Sequence, residues 1–152
     1  MGLKRPKSIK RNDLPAPSSP AAAHRMRVTR QRNTGIEKSL RSALHRLGLR
    51  FRLHRRLLNR SSCTVDLVFA SARVAVFVDS CYWHGCPEHG TLPKANRDWW
   101  RAKLAGNRKR DRKLTRRLQA EGWHVIRIWE HDDFQSAALR ISLAVKRGIL
   151  RS

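Results

Sequence analysis

An apolar run, RVAVFVD (residues 73–79), is followed almost directly by CYWHGCPEHG (residues 81–90). The run is apolar on both faces, which is typical of a central strand covered by helices on both sides. The second segment holds two cysteines and two histidines in ten positions, and this density indicates metal or substrate binding. Together they predict a layered α/β structure with a functional loop at the end of its central strand.

The segments around this run alternate between helical and extended patterns. A capping box formed by Thr34 and Glu37 predicts the start of the first helix, and Val65, Leu67 and Phe69 share one face of a strand, with Asp66 opposite. Asn96 and Gly122 are typical cap residues of a long helix that we expect to break near Gly106. The predicted order is helix 34–47, strands 49–54, 64–70 and 73–79, helix 96–122 in two segments, strand 123–130 and helix 134–148.

The charge of the chain indicates its partner. There are 34 Lys and Arg against 11 Asp and Glu, a formal net charge of +23. Nucleic acid and an anionic membrane surface are the two candidates, and the lack of a strongly apolar 18-residue span favours nucleic acid. Residues 1–25 are predicted to be a disordered basic arm, either an unselected tail or a DNA-contacting segment, with one domain over 26–152. No secretory signal is visible, so we expect a reducing, cytoplasmic location.

Four residues have the chemistry of a structural zinc site. Cys81, Cys86 and His89 follow C-x4-C-x2-H spacing in what we predict to be one irregular loop, and His131 follows the last predicted strand. Two thiolates and two imidazoles make a neutral, closed, tetrahedral Zn²⁺ site. The alternative is a pair of buried thiols beside exposed histidines. His84 and Glu88 lie in the same loop as competing ligands, and Cys63 is expected to take no part.

Two carboxylates lie in or at the end of apolar strands. A carboxylate inside a strand is costly unless it is paired or metal-bound, and Asp66 and Asp79 on adjacent strands form an oxygen-ligand site suited to Mg²⁺. Because the chain is so basic, such a Mg²⁺ site predicts phosphodiester hydrolysis. His84 is then the predicted general base for the attacking water. The alternative is that Asp66 only pairs with one of the many arginines.

The order of several segments resembles the very-short-patch (Vsr) mismatch repair endonucleases from about Met26 to His131. The segments that carry the resemblance are MRVTRQRNTGIE, LHRLGLRFRLH, VDLVF, VFVDSCYWHGCPEHG, NRDWW, KLAGNRKRDRK and EGWHVIRIWEH. The resemblance implies a restriction-endonuclease-like single domain, with a central mixed sheet flanked by helices and a structural zinc site. It also implies nicking of double-stranded DNA 5′ of the thymine in a T:G mismatch left by 5-methylcytosine deamination. A monomer that works alongside a cytosine-5 DNA methyltransferase is expected.

The resemblance also assigns roles to single residues. It implies that Asp66 is the main Mg²⁺ ligand, assisted by the backbone carbonyl of Val78, and that His84 is the catalytic histidine. Glu37 and Asp111 match acidic residues near that centre, with Asp111 orienting His84.

Aromatic and zinc-binding residues are assigned in the same way. Tyr82 and Trp83 match aromatic residues that wedge into the base stack, and Met26 matches an apolar wedge from the other groove. The implied zinc ligands are Cys81, Cys86, His89 (with Glu88 as the competing third ligand) and His131.

The chain also departs from the family pattern. Asp79 stands where some members have a second active-site histidine, and Ser80 replaces a usual glycine. RSSCTV replaces the Pro-Gly-x-Pro turn expected before Asp66. Three functions therefore remain: a mismatch-nicking endonuclease, a related Mg²⁺-dependent restriction-type nuclease with another lesion or sequence target, and an inactive zinc-containing DNA-binding module. The carboxylate in VDLVF argues against the third.

Overall fold

The computed structural model describes residues 35–59 and 61–151, together with positions 16, 19–21 and 24. Met26, Thr34 and most of the basic arm lie outside these residues, so what the sequence predicts for them stays a prediction. The elements in chain order are α1 (Gly35–Arg46), β1 (Arg52–Arg55), β2 (Val65–Phe69), β3 (Val74–Asp79), α2 (Cys81–His84), α3 (Arg97–Ala120), β4 (His124–Trp129) and α4 (Phe134–Leu150).

Four strands form one mixed sheet in the order β1-β2-β3-β4. β2 is antiparallel to both β1 and β3, and β4 is parallel to β3. The prediction that β3 is central is confirmed, since it has a partner on each side. Parallel pairing requires a crossover, and the chain segment that contains α3 provides it.

Helices cover both faces of the sheet, as the apolar character of β3 predicts. One face packs against α1 and α4, with Leu40, Leu44 and Ile141 fully buried. The other face packs against the C-terminal half of α3 through Leu118, which is also fully buried. The prediction of a mixed sheet flanked by helices is confirmed.

The long helix differs from its prediction. The sequence predicts a break near Gly106, but α3 is continuous over 24 residues. A glycine in a helix costs only about 1 kcal/mol relative to alanine, and burial of Leu104 and Asn107 on either side of Gly106 outweighs that cost. Asn96 precedes the helix with φ 54°, but its side chain makes no capping hydrogen bond. Gly122 follows Glu121, the cap residue, with φ 83°, where glycine is favoured.

The cysteine-rich loop is also more ordered than predicted. Residues Cys81–His84 form one helical turn that ends at Gly85 in the left-handed region, where φ is 62°. This turn sits between β3 and α3 in the chain. Across the described part of the chain, no helix is both long and apolar enough to cross a membrane.

Candidate active site and metal centre

Two cysteines and two histidines come together at the end of the sheet. Ligand atoms of Cys81, Cys86, His89 and His131 all lie within 4.8 Å of one another. Cys81 Sγ lies 3.0 Å from His131 Nδ1, and Cys86 Sγ lies 3.8 Å from the same nitrogen. These are the four residues that spacing and resemblance select, and the structure brings them together.

Parallel pairing of β3 and β4 explains this convergence. Asp79 pairs with Trp129 in the last rung, so both strands end at the same edge of the sheet. Cys81 and His131 each follow two residues later and therefore leave that edge side by side. Cys86 is brought back to the cluster by the tight turn at Gly85, where its amide donates to the carbonyl of Cys81.

The donor set fits Zn²⁺. Burial, the neighbouring Cys86 thiol and the Glu130 carboxylate raise the pKa of Cys81 to about 12. The Cys81 thiol therefore stays protonated unless a cation compensates for its thiolate charge, which Zn²⁺ does on binding. Glu130 accepts a hydrogen bond from the amide of Cys81 at 2.8 Å, a contact that the sequence did not reveal. Glu88, the competing ligand, lies 3.5 Å from His131 Nε2 and is largely exposed.

A second cluster surrounds the carboxylate in β2. Ligand atoms of Glu37, His54 and Asp66 lie within 4.8 Å of one another. Asp66 Oδ2 accepts a hydrogen bond from the amide of Val78 at 2.8 Å. The two carboxylates of this cluster offer the oxygen ligands that a divalent cation such as Mg²⁺ prefers.

This arrangement corrects the prediction that Val65, Leu67 and Phe69 share one face of β2. The register between β2 and β3 runs from Phe69 to Leu67 only, and beyond it the Asp66 carboxylate takes the Val78 amide. The hydrogen-bond ladder between β2 and β3 is interrupted there. Val65 packs in the hydrophobic cluster under α3, whereas Leu67 and Phe69 pack in the cluster under α1 and α4.

Asp66 and Asp79, which the sequence predicts to form one cation site, have different partners in the structure. Asp79 is buried and bound by a cation that the chain itself supplies. Nη1 of Arg127 lies 2.7 and 2.6 Å from the two Asp79 oxygens. Asp66 instead lies near Glu37 and His54, with ligand atoms of the three residues within 4.8 Å of one another. Sequence analysis missed His54 and Arg127 as members of the site.

His84 belongs to the cluster around Asp79. Its Nδ1 lies 2.7 Å from Asp111 Oδ2 and 3.7 Å from Asp79 Oδ1. Arg127 also faces Asp111, at 3.8 Å. Asp111 comes from α3 and His84 from α2, so the contact joins the helical turn to the long helix. A further link holds the same turn in place, because buried Asn107 donates its side-chain amide to the carbonyl of Trp83 at 2.9 Å.

The charges of this cluster depend on one another. Burial opposes protonation of His84, but the Asp111 hydrogen bond and the Asp79 charge outweigh burial, so the pKa of His84 is raised. Burial likewise acts to raise the pKa of Asp111, but the hydrogen bond and charge of His84 outweigh it, so the pKa of Asp111 is lowered. The pair therefore favours an ionised carboxylate that orients the imidazole through Nδ1.

Tyr82 and Trp83 lie in an aromatic cluster with residues of α3. Their rings are 5.0 Å apart, edge to face, and both contact Trp100, at 5.4 and 5.9 Å. Trp99 packs on Trp100 at 4.9 Å. Tyr82 and Trp83 are half-buried, so the cluster presents aromatic surface beside the His84 turn. Trp99 and Trp100 were assigned only to a helix from the sequence.

The solvent side of α3 is strongly basic. One side of the helix is fixed by buried Trp100, Leu104 and Leu118, and the other side exposes a run of cations. These exposed residues are Arg97, Arg101, Arg108, Lys109, Arg110, Arg112, Lys113, Arg116 and Arg117. Such a surface suits the phosphate backbone of a nucleic acid.

Comparison with known protein families identifies the relatives of this chain. The family described as DNA mismatch endonuclease Vsr matches residues 19–88, which include Glu37, Asp66, Asp79 and the cysteine-rich loop as far as Glu88. The match ends within that loop, so α3, β4 and α4 lie outside it.

Individual relatives extend over more of the chain. The type II nicking enzyme V.NaeI of Lentzea aerocolonigenes is 40% identical over 84% of this chain and 78% of its own length. The type II nicking enzyme V.XorIIP of Xanthomonas oryzae pv. oryzae is 43% identical over 78% of this chain and 85% of its own length. The DNA mismatch endonuclease Vsr of Escherichia coli is 36% identical over 69% of this chain and 66% of its own length.

Proposed function

The chain belongs to the Vsr family of DNA endonucleases, and on that premise we propose that it nicks one strand of double-stranded DNA 5′ of the thymine in a T:G mismatch. Such mismatches arise when 5-methylcytosine deaminates, so nicking the thymine strand directs repair back to cytosine. The observation that carries the proposal is the pair of clusters around Asp66 and His84, in a chain whose relatives include a mismatch endonuclease and several nicking enzymes. The test is Mg²⁺-dependent cleavage of matched and mismatched duplexes.

Asp66 and Glu37 are proposed as the Mg²⁺-binding carboxylates, with the Val78 carbonyl as a further ligand. When bound there, Mg²⁺ supplies charge neutralisation at the phosphate oxygens and orients the attacking water. The hydrogen bond from the Val78 amide fixes one oxygen of Asp66, which restricts rotation of the carboxylate. Burial of Glu37 excludes water from the other side of the cluster.

His84 is proposed as the general base. Asp111 accepts a hydrogen bond from its Nδ1, and this leaves the lone pair on Nε2, the nitrogen able to take a proton from water. Asp79 adds negative charge 3.7 Å from Nδ1, which stabilises the imidazolium formed after proton transfer. Arg127 forms an ion pair with Asp79. Its positive charge therefore offsets one of the two negative charges that Asp79 and Asp111 bring to the cluster.

We expect His84→Ala to lower the nicking rate by roughly 10²–10⁴-fold, the usual contribution of a general base. Asp111→Asn should lower the rate as well, because it removes the negative charge that orients and stabilises the imidazole. The rate is to be measured under single-turnover conditions with saturating Mg²⁺. His124→Ala, which changes an exposed histidine on β4, is the matched control and should leave the rate unchanged. A normal rate for His84→Ala would remove His84 from the chemistry.

Tyr82 and Trp83 are proposed to wedge into the base stack, with Met26 entering from the other groove. Unstacking a base step costs a few kcal/mol, and least at a mismatch. We expect Trp83→Ala to reduce the ratio of T:G to C:G nicking rates more than it lowers the melting temperature. The alternative is that Trp83 is only a packing residue of the aromatic cluster. A variant that melts early and yet discriminates normally when folded would support that alternative.

The proposed function also implies binding partners. The exposed cations of α3 are proposed to contact DNA phosphates on both sides of the mismatch. A cytosine-5 DNA methyltransferase is the expected functional companion, and the enzyme is proposed to act as a monomer with structural Zn²⁺ and catalytic Mg²⁺. The second candidate is a restriction-type nuclease with another lesion or sequence target. Equal cutting of paired and mismatched DNA would favour that candidate.

A further inference from the structure

Arg41, on α1, connects the two carboxylates around the proposed Mg²⁺ site. Its Nη2 lies 2.8 Å from Glu37 Oε1 and 3.3 Å from His54 Nε2. On its other side, His54 directs Nδ1 toward Asp66 Oδ1 at 3.7 Å. The contacts therefore run from Glu37 through Arg41 and His54 to Asp66, and none of the four residues is fully exposed.

Hydrogen-bond chemistry determines which nitrogen of His54 carries the proton. A guanidinium group has five N–H donors and no acceptor. The Nε2 atom that faces Arg41 must therefore offer its lone pair, so His54 is neutral and its hydrogen lies on Nδ1. Nδ1 lies 3.7 Å from Asp66 Oδ1, which is longer than a hydrogen bond. A nitrogen that carries a hydrogen has no lone pair for a metal, so His54 supports the cation site through Asp66 and is not itself a ligand.

We propose that Arg41 and His54 are positioning residues, with Arg41 holding His54 as the Nδ1–H tautomer and His54 orienting the Asp66 carboxylate for its cation. This inference rests on the proposed role of Asp66. The Val78 amide fixes Oδ2 of that carboxylate and His54 faces Oδ1, so both oxygens have a defined direction and keep lone pairs for a metal. Closing the 3.7 Å contact to hydrogen-bond length needs a shift of about 1 Å.

The backbone of β1 places His54 for this contact. Leu53 pairs with Leu67 and Arg55 with Val65, so His54 lies directly opposite Asp66 in the sheet. His54 has φ 48°, a left-handed conformation uncommon for a residue with a side chain and rarer still inside a strand. Asparagine and glycine tolerate this conformation better than alanine does, and this difference determines the choice of variants.

The first test reads the tautomer directly, in zinc-loaded protein without Mg²⁺ or DNA. Imidazole ¹⁵N NMR of the wild type should show the hydrogen of His54 on Nδ1. Arg41→Met should shift His54 toward the Nε2–H form, whereas Arg46→Met, at the exposed end of the same helix, should leave it unchanged. Finding the hydrogen on Nε2 in the wild type would overturn the proposal. The result does not depend on cleavage, so it stands even where T:G nicking fails.

The second test measures Mg²⁺ affinity by calorimetry on the same zinc-loaded protein. His54→Gly accepts the backbone conformation but removes the donor, and should weaken Mg²⁺ binding by about 10–100-fold, as loss of an orienting residue does. His54→Asn also accepts the conformation and places an amide N–H near the position of Nδ1, so it should recover most of the affinity. Equal loss in both variants, or Mn²⁺ spectra with nitrogen coupling from His54, would overturn the positioning role.

Discussion

Asp66→Ala should abolish Mg²⁺-dependent nicking, with a rate at least about 10³-fold below that of the wild type. A bound divalent cation contributes several kcal/mol of charge stabilisation in the transition state, and each ~1.4 kcal/mol corresponds to a factor of ten. DNA affinity should stay close to normal, because most of it comes from phosphate contacts with basic residues. The measurements are single-turnover cleavage with Mg²⁺ and duplex binding without a divalent cation.

Two further variants separate catalysis from folding. Asp66→Ala also removes the acceptor of the Val78 amide, and an unsatisfied buried amide costs about 1–3 kcal/mol. Asp66→Asn keeps an acceptor oxygen there, so it should fold like the wild type and still be inactive. Asp98→Ala changes an exposed carboxylate on α3 and should nick normally. A wild-type rate in either Asp66 variant would place the catalytic cation elsewhere.

Cys86→Ala should lose the zinc ion and much of the order of the loop at residues 81–90. Zinc binding to structural sites is worth roughly 10–16 kcal/mol at pH 7, which is comparable to the whole stability of a domain, about 5–15 kcal/mol. Purified wild-type protein should contain about one zinc per chain, and Cys86→Ala close to none, with a lower melting temperature. Metal analysis and thermal unfolding measure both effects.

Cys63→Ala is the matched control for this loss. Cys63 is a free, half-buried cysteine outside the cluster of four ligands. Its replacement should leave the zinc content at about one per chain, and unfolding should change little. A folded, active wild-type preparation without zinc would contradict the structural zinc site.

Much of the fold could be predicted because local patterns and tertiary packing agree. The strictly apolar run of β3 indicated a central strand, and the periodic leucines of α1 indicated a helix packed on a sheet. The continuity of α3 could not be predicted, since it depends on burial of Leu104 and Asn107 beside Gly106. Contacts distant in sequence outweighed a weak local preference for a break.

The candidate site was less predictable than the fold. The four residues of the proposed zinc site carry a chemical signature of their own, two thiols and two imidazoles close to strand ends, so their convergence could be predicted. His54 and Arg127 have no such signature among 34 Lys and Arg and 7 His. Their roles follow from the register of the strands. His54 on β1 lies opposite Asp66 on β2. Arg127 on β4 pairs with Phe77 on β3, and its side chain reaches Asp79, two residues further along β3. That pairing also explains why Asp79 and Asp66 have different partners.

The measurement that tests the central claim most directly uses a T:G duplex with a different fluorophore on each strand. Single-turnover cleavage with Mg²⁺ should give one product, from the strand that carries the thymine, cut immediately 5′ of it. Matched duplexes with C:G or T:A in the same flanking sequences should stay intact, and the guanine strand should not be cut. Equal cutting of T:G and C:G duplexes, or breaks in both strands of paired DNA, would contradict mismatch-directed nicking.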